Sequence, residues 1–434
     1  MNYTSRCELG EFTDNLVADD DSLKRRLIQL CEKLDEIDPV IQSFLPEINR
    51  QERLFLDAKE LFQRFPDTNN CPPLFGIPVG IKDIFRIDGW PTQAGSQLPA
   101  ELFEGEEAWV VTRLKSLGAL ILGKTVSTEF AFFEPGPTRN PFNIGHTPGG
   151  SSSGSAAAVA AGFAPLAIGS QTIGSIGRPA SYCGVFGFKP SFGRIPTDGI
   201  IHFSVSADHV GFFTQDMKGV QVAAKTLIPD WKTQEFLSKK PVLAIPDGPY
   251  LVQAEPEMLV FFNNKISQLK TAGFSIKHIQ TFGNIEQINS MHRSMIAAEF
   301  AWVHNNWYDS YHEKYRPQSA SLVLEGRSIS DVSVAEYRNY RLELREELEQ
   351  TKSKNQFDLW VTPSAMGAAP IGHASTGSPL MNLPWTMAGL PVLSAPMGRD
   401  ISNLPLGIQF IGSFGEDELM LDRLNFLRQF FQTI

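Results

Sequence analysis

The sequence has little cysteine and none of the patterns that cysteine chemistry requires. Its four cysteines are scattered, with no CxxC pair and no metal-ligand spacing. This distribution predicts free thiols in a reducing compartment. The chain also lacks a run of roughly 18 apolar residues and a basic N-terminal segment followed by an apolar stretch, so we expect neither a membrane span nor a secretory signal. A soluble cytoplasmic protein is the default expectation.

An excess of positive charge is also missing. The chain has 38 Lys and Arg against 48 Asp and Glu, a net charge of −10. Because phosphate backbones are usually bound by a basic patch, we expect no nucleic-acid partner. The glycine-rich stretches contain neither GxxxxGK[ST] nor GxGxxG after a strand, and no metal cluster is visible, so no cofactor is predicted.

What the sequence does contain is an alternation of helical and strand-like segments over 434 residues, with 42% hydrophobic content. The order of helix, short strand and glycine turn predicts α/β units around a largely parallel sheet. The strand-like segments are 73–85, 119–124, 241–247 and 359–365, and the helical ones are 22–37, 106–118 and 256–273. Two further helices, 333–350 and 413–431, are predicted to open with capping boxes, Ser333/Glu336 and Ser413/Glu416.

Two nearby segments are rich in glycine and other small residues and also carry serine and threonine hydroxyls: TPGGSSSGSAAAVAAG (147–162) and GSQTIGSIGRPASYCGVFGFKP (169–190). A serine nucleophile needs a base to take its proton. None of the eight histidines is placed in a GxSxG elbow. GSSSG at 150–154 has that spacing, but it leads from a glycine turn into an alanine-rich stretch, so its value as an elbow is low.

A lysine base is the other candidate. Lys82 stands in the segment GIPVGIKDIF, at the end of an apolar strand-like run, and burial would lower its pKa by up to roughly 3–5 units, giving a neutral amine near pH 7. The alternative is a lysine that reaches solvent at a strand end or pairs with Asp83. Small residues before Ser175 would let backbone N–H groups converge on an oxyanion, whereas the plainer reading is a structural turn.

Together these segments resemble the amidase signature family of hydrolases. The similarity extends over about residues 20–430 and is densest over 74–213. The motifs that carry it are GIPVGIKD (76–83), ILGKTVSTEFA (121–131), TRNPFN (138–143), the two glycine-rich segments (147–162 and 169–195), AGLPVLSAPMG (388–398) and LPLGIQFIG (404–412).

The resemblance implies a Ser–cis-Ser–Lys triad made of Lys82, Ser151 and the nucleophile Ser175, with a cis Gly150–Ser151 peptide. The two serines are 24 positions apart, as the family pattern has them. The implied oxyanion hole and supporting residues are the backbone of Thr172, Ile173, Gly174 and Ser175, and the side chains of Ser152, Gln171 and Arg178. Ser152 and Ser153 are expected to cap the following helix or support the network.

Three residues depart from the usual family pattern around Ser175. Gln171 stands where the family often has Asp, and it holds no charge. Ile173 replaces a glycine, although a β-branched residue disfavours positive φ. The arginine comes one place later, at Arg178. A variant of the family shares the Gln and the late Arg, so these are interpreted as a subgroup mark, with damage to the site as the alternative.

The resemblance also implies the fold and its organisation. We expect one amidase domain over 1–434, with a central mixed, largely parallel, twisted sheet surrounded by helices. The signature core is about 74–213, a helical subdomain or pocket wall about 250–355, and 356–434 return to the core. Aromatic residues in 130–137 and 299–315 suggest an apolar or aromatic acyl pocket, while ordinary core packing explains them equally well.

Several functions remain open at this point. The first is hydrolysis of a small carboxylic amide, with a small molecule as partner and a homodimer as a possible assembly. The second is the glutaminase-like component of a transfer-RNA-dependent amidotransferase. The third is an acyl-transfer enzyme that forms amides in biosynthesis. The fourth is a catalytically inactive binding protein, which the intact lysine and serines argue against.

Overall fold

The computed structural model describes residues 2–15, 19–67, 70–232 and 238–432. Its helices are α1 Leu9–Asp14, α2 Asp20–Ile41, α3 Arg50–Arg64, α4 Trp109–Ser116, α5 Ser153–Ala160, α6 Gly177–Cys183, α7 Met217–Leu227, α8 Pro256–Thr271, α9 Ile285–Tyr311, α10 Pro317–Arg327, α11 Asp331–Asn355, α12 Leu383–Met387 and α13 Asp417–Leu424. Its strands are β1 Pro78–Lys82, β2 Leu120–Thr125, β3 Leu166–Gln171, β4 Phe186–Lys189, β5 His209–Thr214, β6 Leu243–Asp247, β7 Ile276–Gln280, β8 Leu359–Pro363, β9 Val392–Arg399 and β10 Pro405–Ile411.

The ten strands form one sheet in the order β2-β1-β3-β5-β4-β9-β10-β8-β6-β7. Parallel pairs occupy both ends of the sheet: β1 pairs with β2 and β3, and β6 pairs with β7 and β8. The central pairs from β3 to β8 are antiparallel. Residues of β1, β2 and β3 are all buried. The mixed sheet surrounded by helices, which the sequence predicts, is confirmed.

Both predicted capping boxes are wrong in detail. Helix α11 begins at Asp331, where the Ser330 side chain accepts a hydrogen bond from the Ser333 backbone N–H. Helix α13 begins at Asp417 and has no side-chain cap. The Ser413 hydroxyl instead accepts a hydrogen bond from Lys352, a residue of α11 that the local pattern could not place beside it.

Helix α5 runs through the interior, because all eight of its residues are buried. Its alanine content fits this position, since small side chains let a helix approach its neighbours closely. Gly154 is required at its start, because a Cβ there would lie 2.2 Å from the Ser43 carbonyl oxygen and 2.3 Å from the Val126 nitrogen. Within the part of the chain that the structure describes, no helix is long and apolar enough to cross a membrane.

Candidate active site

Lys82 stands at the carboxyl end of β1, next to β3. The two strands are parallel, with Ile81 opposite Ile168. This register brings Lys82 beside the end of β3, where Ser170 lies. The Lys82 Nζ atom is 2.8 Å from Ser151 Oγ and 2.8 Å from Ser170 Oγ. The predicted lysine and relay serine are therefore in direct contact.

The environment of Lys82 favours the neutral amine. The side chain is 0% exposed. Burial lowers its pKa to about 7, although the charge of Asp208 acts in the opposite direction. The alternative pairing with Asp83 is not made, because Asp83 accepts instead from Lys124 Nζ at 3.0 Å. Lys82 therefore neither reaches solvent nor pairs with its neighbour, and it is able to act as a base near neutral pH.

Ser151 lies in the turn that precedes α5, and the Gly150–Ser151 peptide is cis. Ser152 is the N-cap residue of α5, but its hydroxyl does not cap the helix. It bonds to β3 instead, donating to the Ser170 carbonyl at 3.2 Å and accepting from the Ser170 N–H at 3.3 Å. The Ser153 hydroxyl donates to the Gly149 carbonyl at 2.7 Å. Both serines thus tie the Ser151 turn to its surroundings.

Ser175 lies in the turn between β3 and α6. It is 7% exposed. Its hydroxyl makes no hydrogen bond with any residue that the structure describes, so the contact with Ser151 expected of the triad is not formed here. The structure thus joins Lys82 to Ser151 and leaves the Ser175 hydroxyl free to accept a new partner.

The turn before Ser175 presents unpaired donors. Among the described residues, none accepts a hydrogen bond from the backbone N–H of 173, 174 or 175. The matching carbonyls are all occupied. Thr172 O accepts from His292 Nε2 at 3.0 Å, Ile173 O from the Thr386 hydroxyl at 2.7 Å, and Gly174 O from the Arg178 N–H at 3.0 Å. Carbonyls held on one side and free N–H groups on the other are what an oxyanion hole requires.

Ile173 causes none of the backbone conflict expected from its β-branched side chain. Its φ is not positive, so this position does not need a glycine. Its side chain joins the main hydrophobic core. Gly174 does need to be small, because a Cβ there would lie 2.6 Å from Asn382 Oδ1 and 2.8 Å from Pro379 Cβ.

Gln171 holds the chain that follows Ser175. Its Oε1 accepts from the Ile176 N–H at 2.7 Å and from the Gly177 N–H at 2.9 Å. Its Nε2 donates to Thr386 Oγ1 at 2.8 Å. The neutral amide thus has an acceptor and a donor role, and both are used.

Arg178 is a buried guanidinium that contacts carbonyl groups. It donates to Gly377 O and, through Nη2, to Gly150 O at 2.6 Å and to Thr376 Oγ1 at 3.2 Å. Burial lowers its pKa to about 10. The shifted arginine therefore fixes the carbonyl of the peptide that carries Ser151, and it links that turn to the chain at 376–377.

Four residues of this network are not among the predicted site residues: Ser170, Asp208, His292 and Thr386. Ser170 is in one of the quoted motifs, and the apolar residues 166–168 that precede it were the available signal, although no strand is predicted there. Asp208 accepts from the Thr172 hydroxyl at 2.6 Å. His292 and Thr386 come from α9 and α12, and no local pattern connects them to the turn.

The two aromatic segments meet in one cluster. Phe130 lies 6.2 Å from Phe300 and 5.3 Å from Tyr315, measured between ring centroids. Phe130 and Phe300 are fully buried, so the centre of the cluster is core packing. Phe133 is half-buried, and its ring centroid is 5.8 Å from the Arg178 guanidinium. Phe133 is therefore the residue of the two aromatic segments that contacts the site, through Arg178.

The described residues contain no group of three or more His, Cys, Asp or Glu side chains placed to hold a metal ion. The groups that the structure places at this site are the hydroxyls of Ser151, Ser170 and Ser175, the Lys82 amine and the free backbone N–H groups of 173–175. A serine made nucleophilic by a base and facing unpaired N–H groups is suited to attack on a carbonyl carbon.

The chain is similar to known amidases and amidotransferase subunits over nearly its whole length. The family model described as Amidase matches residues 26–421. The A subunit of the glutamyl-tRNA(Gln) amidotransferase of Synechococcus sp. (strain WH7803) is 31% identical, over 90% of each chain. The protein of the same name from Cyanothece sp. (strain PCC 7425 / ATCC 29141) is 28% identical, over 95% of each chain.

Solved structures share the fold. The crystal structure of an amidase superposes with a TM-score of 0.86 and 26% identity, covering 98% of this chain and 99% of the other. A peptide amidase from Stenotrophomonas maltophilia superposes with a TM-score of 0.79 and 23% identity, covering 99% and 98%. At that identity the second similarity concerns the fold alone.

Proposed function

This chain belongs to the amidase signature family, whose members act on amide C–N bonds, and we propose that it hydrolyses a small carboxylic amide through an acyl-enzyme on Ser175. The observation that carries the proposal is the contact between the fully buried Lys82 and Ser151 at 2.8 Å. A lysine with a pKa of about 7 is a base at neutral pH. The relay also requires the Ser175 hydroxyl to turn onto Ser151, a contact that is not formed in this structure.

Acylation begins with proton transfer. Neutral Lys82 accepts the proton of Ser151 while Ser151 takes the proton of Ser175. The Ser175 oxygen bonds to the amide carbon, and the resulting oxyanion accepts from backbone N–H groups of the turn 172–175, of which those of 173, 174 and 175 are free. The C–N bond then breaks, and the proton returns through Ser151 to the leaving nitrogen.

Deacylation repeats the relay with water. Water loses a proton to the relay and attacks the acyl carbon, and the ester bond breaks as Ser175 recovers its proton. An amine that replaces water would form a new amide from the same intermediate. Competition between hydroxylamine and water measures how the acyl-enzyme is partitioned and distinguishes hydrolysis from acyl transfer.

An apolar or aromatic acyl group is the proposed substrate feature. Its support is Phe133, which is half-buried and lies beside Arg178. The expected result is faster turnover of arylacetamides than of acetamide. Equal turnover of the two would contradict an aromatic acyl pocket without affecting the proposed triad.

The experiment for the proposed function is labelling of the purified protein with a fluorophosphonate, read by intact mass. We expect one adduct on the wild type, none on Ser175→Ala and strongly slowed labelling of Lys82→Met. Lys189→Met is the matched control, because burial also lowers the pKa of Lys189 to about 7, yet its Nζ donates to the carbonyls of Pro190 and Leu390. Labelling that is indifferent to Ser175→Ala and Lys82→Met would refute the proposal.

A glutaminase role within a larger assembly, as the A-type component of an amidotransferase, is the second candidate. It is favoured by the similarity to amidotransferase relatives over 90% of the chain. That role predicts glutaminase activity that depends on a co-purifying partner, whereas the first candidate predicts turnover of simple amides by the chain alone. The homodimer and the cytoplasmic location remain predictions, which sedimentation and cell fractionation would test.

A further inference from the structure

Gln171 and Thr386 are joined by a buried hydrogen bond although they are 215 positions apart. The orientation of the Gln171 amide is fixed by its neighbours, since its Oε1 faces two backbone N–H groups, those of Ile176 and Gly177. A flipped amide would place donors against donors. Its Nε2 is therefore the group that faces Thr386.

The Thr386 hydroxyl then has one proton to donate. Because it accepts from Gln171, its own proton goes to a carbonyl: Ile173 O lies at 2.7 Å and Asn382 O at 3.0 Å. The shorter contact continues the chain from Gln171 through Thr386 to Ile173. This connection holds the main chain on both sides of Ser175.

Peptide planarity carries this restraint to the oxyanion hole. The C=O of Ile173 and the N–H of Gly174 belong to one planar unit and point in opposite directions. A donor on that carbonyl therefore fixes the direction of the Gly174 N–H. Gln171 fixes the peptide unit between Ser175 and Ile176, because the Ile176 N–H that it binds is coplanar with the Ser175 C=O.

We propose that Gln171 and Thr386 are paired positioning residues that aim the backbone N–H groups beside Ser175 at the developing oxyanion. The pair requires a neutral amide at position 171. A carboxylate would still accept from the two N–H groups, but it would also take the Thr386 proton and leave Ile173 O without that donor. Gln171, which stands where the family often has Asp, thus has in the Thr386 hydroxyl the acceptor that its amide N–H needs. This inference rests on the proposed acyl-enzyme chemistry.

The test measures the second-order rate of fluorophosphonate labelling, because the phosphoryl oxygen occupies the place of the oxyanion. Thr386→Val removes the hydroxyl and keeps the shape, and we expect labelling to slow by about tenfold to a hundredfold, less than the roughly 10²–10³ for a lost oxyanion donor. Thr386→Ser should restore most of the rate. Gln171→Glu should slow labelling, and the double variant should lose no more than the worse single variant.

A second readout separates positioning from general damage. Phenylboronic acid forms a tetrahedral adduct with an active serine, so its affinity should fall in parallel with the labelling rate of Thr386→Val. The matched control is Thr214→Val, which removes a buried hydroxyl that donates to the Asp216 carbonyl at 3.0 Å. We expect the control to label within twofold of the wild type, and thermal unfolding to show that both variants are folded.

The outcomes distinguish this inference from the proposed function. If the wild type is not labelled on Ser175, the proposed function fails and the inference falls with it. If the wild type is labelled but Thr386→Val keeps both its labelling rate and its boronate affinity within twofold, the inference alone is refuted. Additive losses in the double variant would also refute a paired role.

Discussion

Replacement of Lys82 by Met should change the pH dependence of stability, not only activity. Burial lowers the pKa of Lys82 from 10.5 to about 7. Between these values the unfolded chain binds a proton that the folded protein does not, so this lysine makes stability rise with pH. This difference between the unfolded and folded pKa of Lys82 corresponds to a loss of about 5 kcal/mol of unfolding free energy. The folded protein carries this full destabilisation below about pH 7 and none of it above about pH 10.5.

The assay is urea unfolding of the wild type and Lys82→Met from about pH 7 to pH 10. Methionine does not titrate, so the stability of the variant relative to the wild type should be greatest near pH 7 and decline by about 1.4 kcal/mol per pH unit. Lost contacts with Ser151 and Ser170 add an offset that does not vary with pH. A difference that stays constant with pH would refute the reasoning, since it would mean that Lys82 is charged inside the folded protein.

Three further predictions concern the rate of serine labelling. The rate should rise about tenfold per pH unit up to about pH 7 and then level off, because only neutral Lys82 accepts a proton; a rate independent of pH would contradict a lysine base. Ser170→Ala should slow labelling by about tenfold, since one of two hydroxyls that hold Nζ is lost, and Ser170→Thr should recover it. Gly174→Ala should slow labelling by about a hundredfold or more, because its Cβ would lie 2.6 Å from Asn382 Oδ1; an unchanged rate would show that the turn gives way.

The sequence was informative where function depends on local segments. The run ending at Lys82 and the two glycine-rich turns are continuous stretches, so their resemblance to the family was enough to predict Lys82, Ser151 and Ser175 as site residues. The mixed sheet was predictable for the same reason, because short buried strands such as β1 and β2 are bounded by turns. Packing of the carboxyl end of β1 against β3 then brings Lys82 to Ser170, a contact that depends on register.

The restraints on the turn before Ser175 were not predictable, because they come from distant parts of the chain. His292 and Thr386 reach the turn from α9 and α12, and no local sequence pattern around either residue predicts its hydrogen bond to the turn. The effect of Ile173 also depended on a single dihedral angle, since a positive φ would have made it costly. The pairing of Asp83 with Lys124 likewise required the strand register of β1 and β2.

The most direct test of the account is to look for the acyl-enzyme itself. The purified protein is mixed with p-nitrophenyl acetate, quenched during turnover and digested, and the peptide that contains Ser175 is analysed by mass spectrometry. The account predicts an acetyl group on Ser175 that is absent from Ser175→Ala. Turnover by the wild type with no acetylated Ser175, or with the acetyl group on another residue, would contradict it.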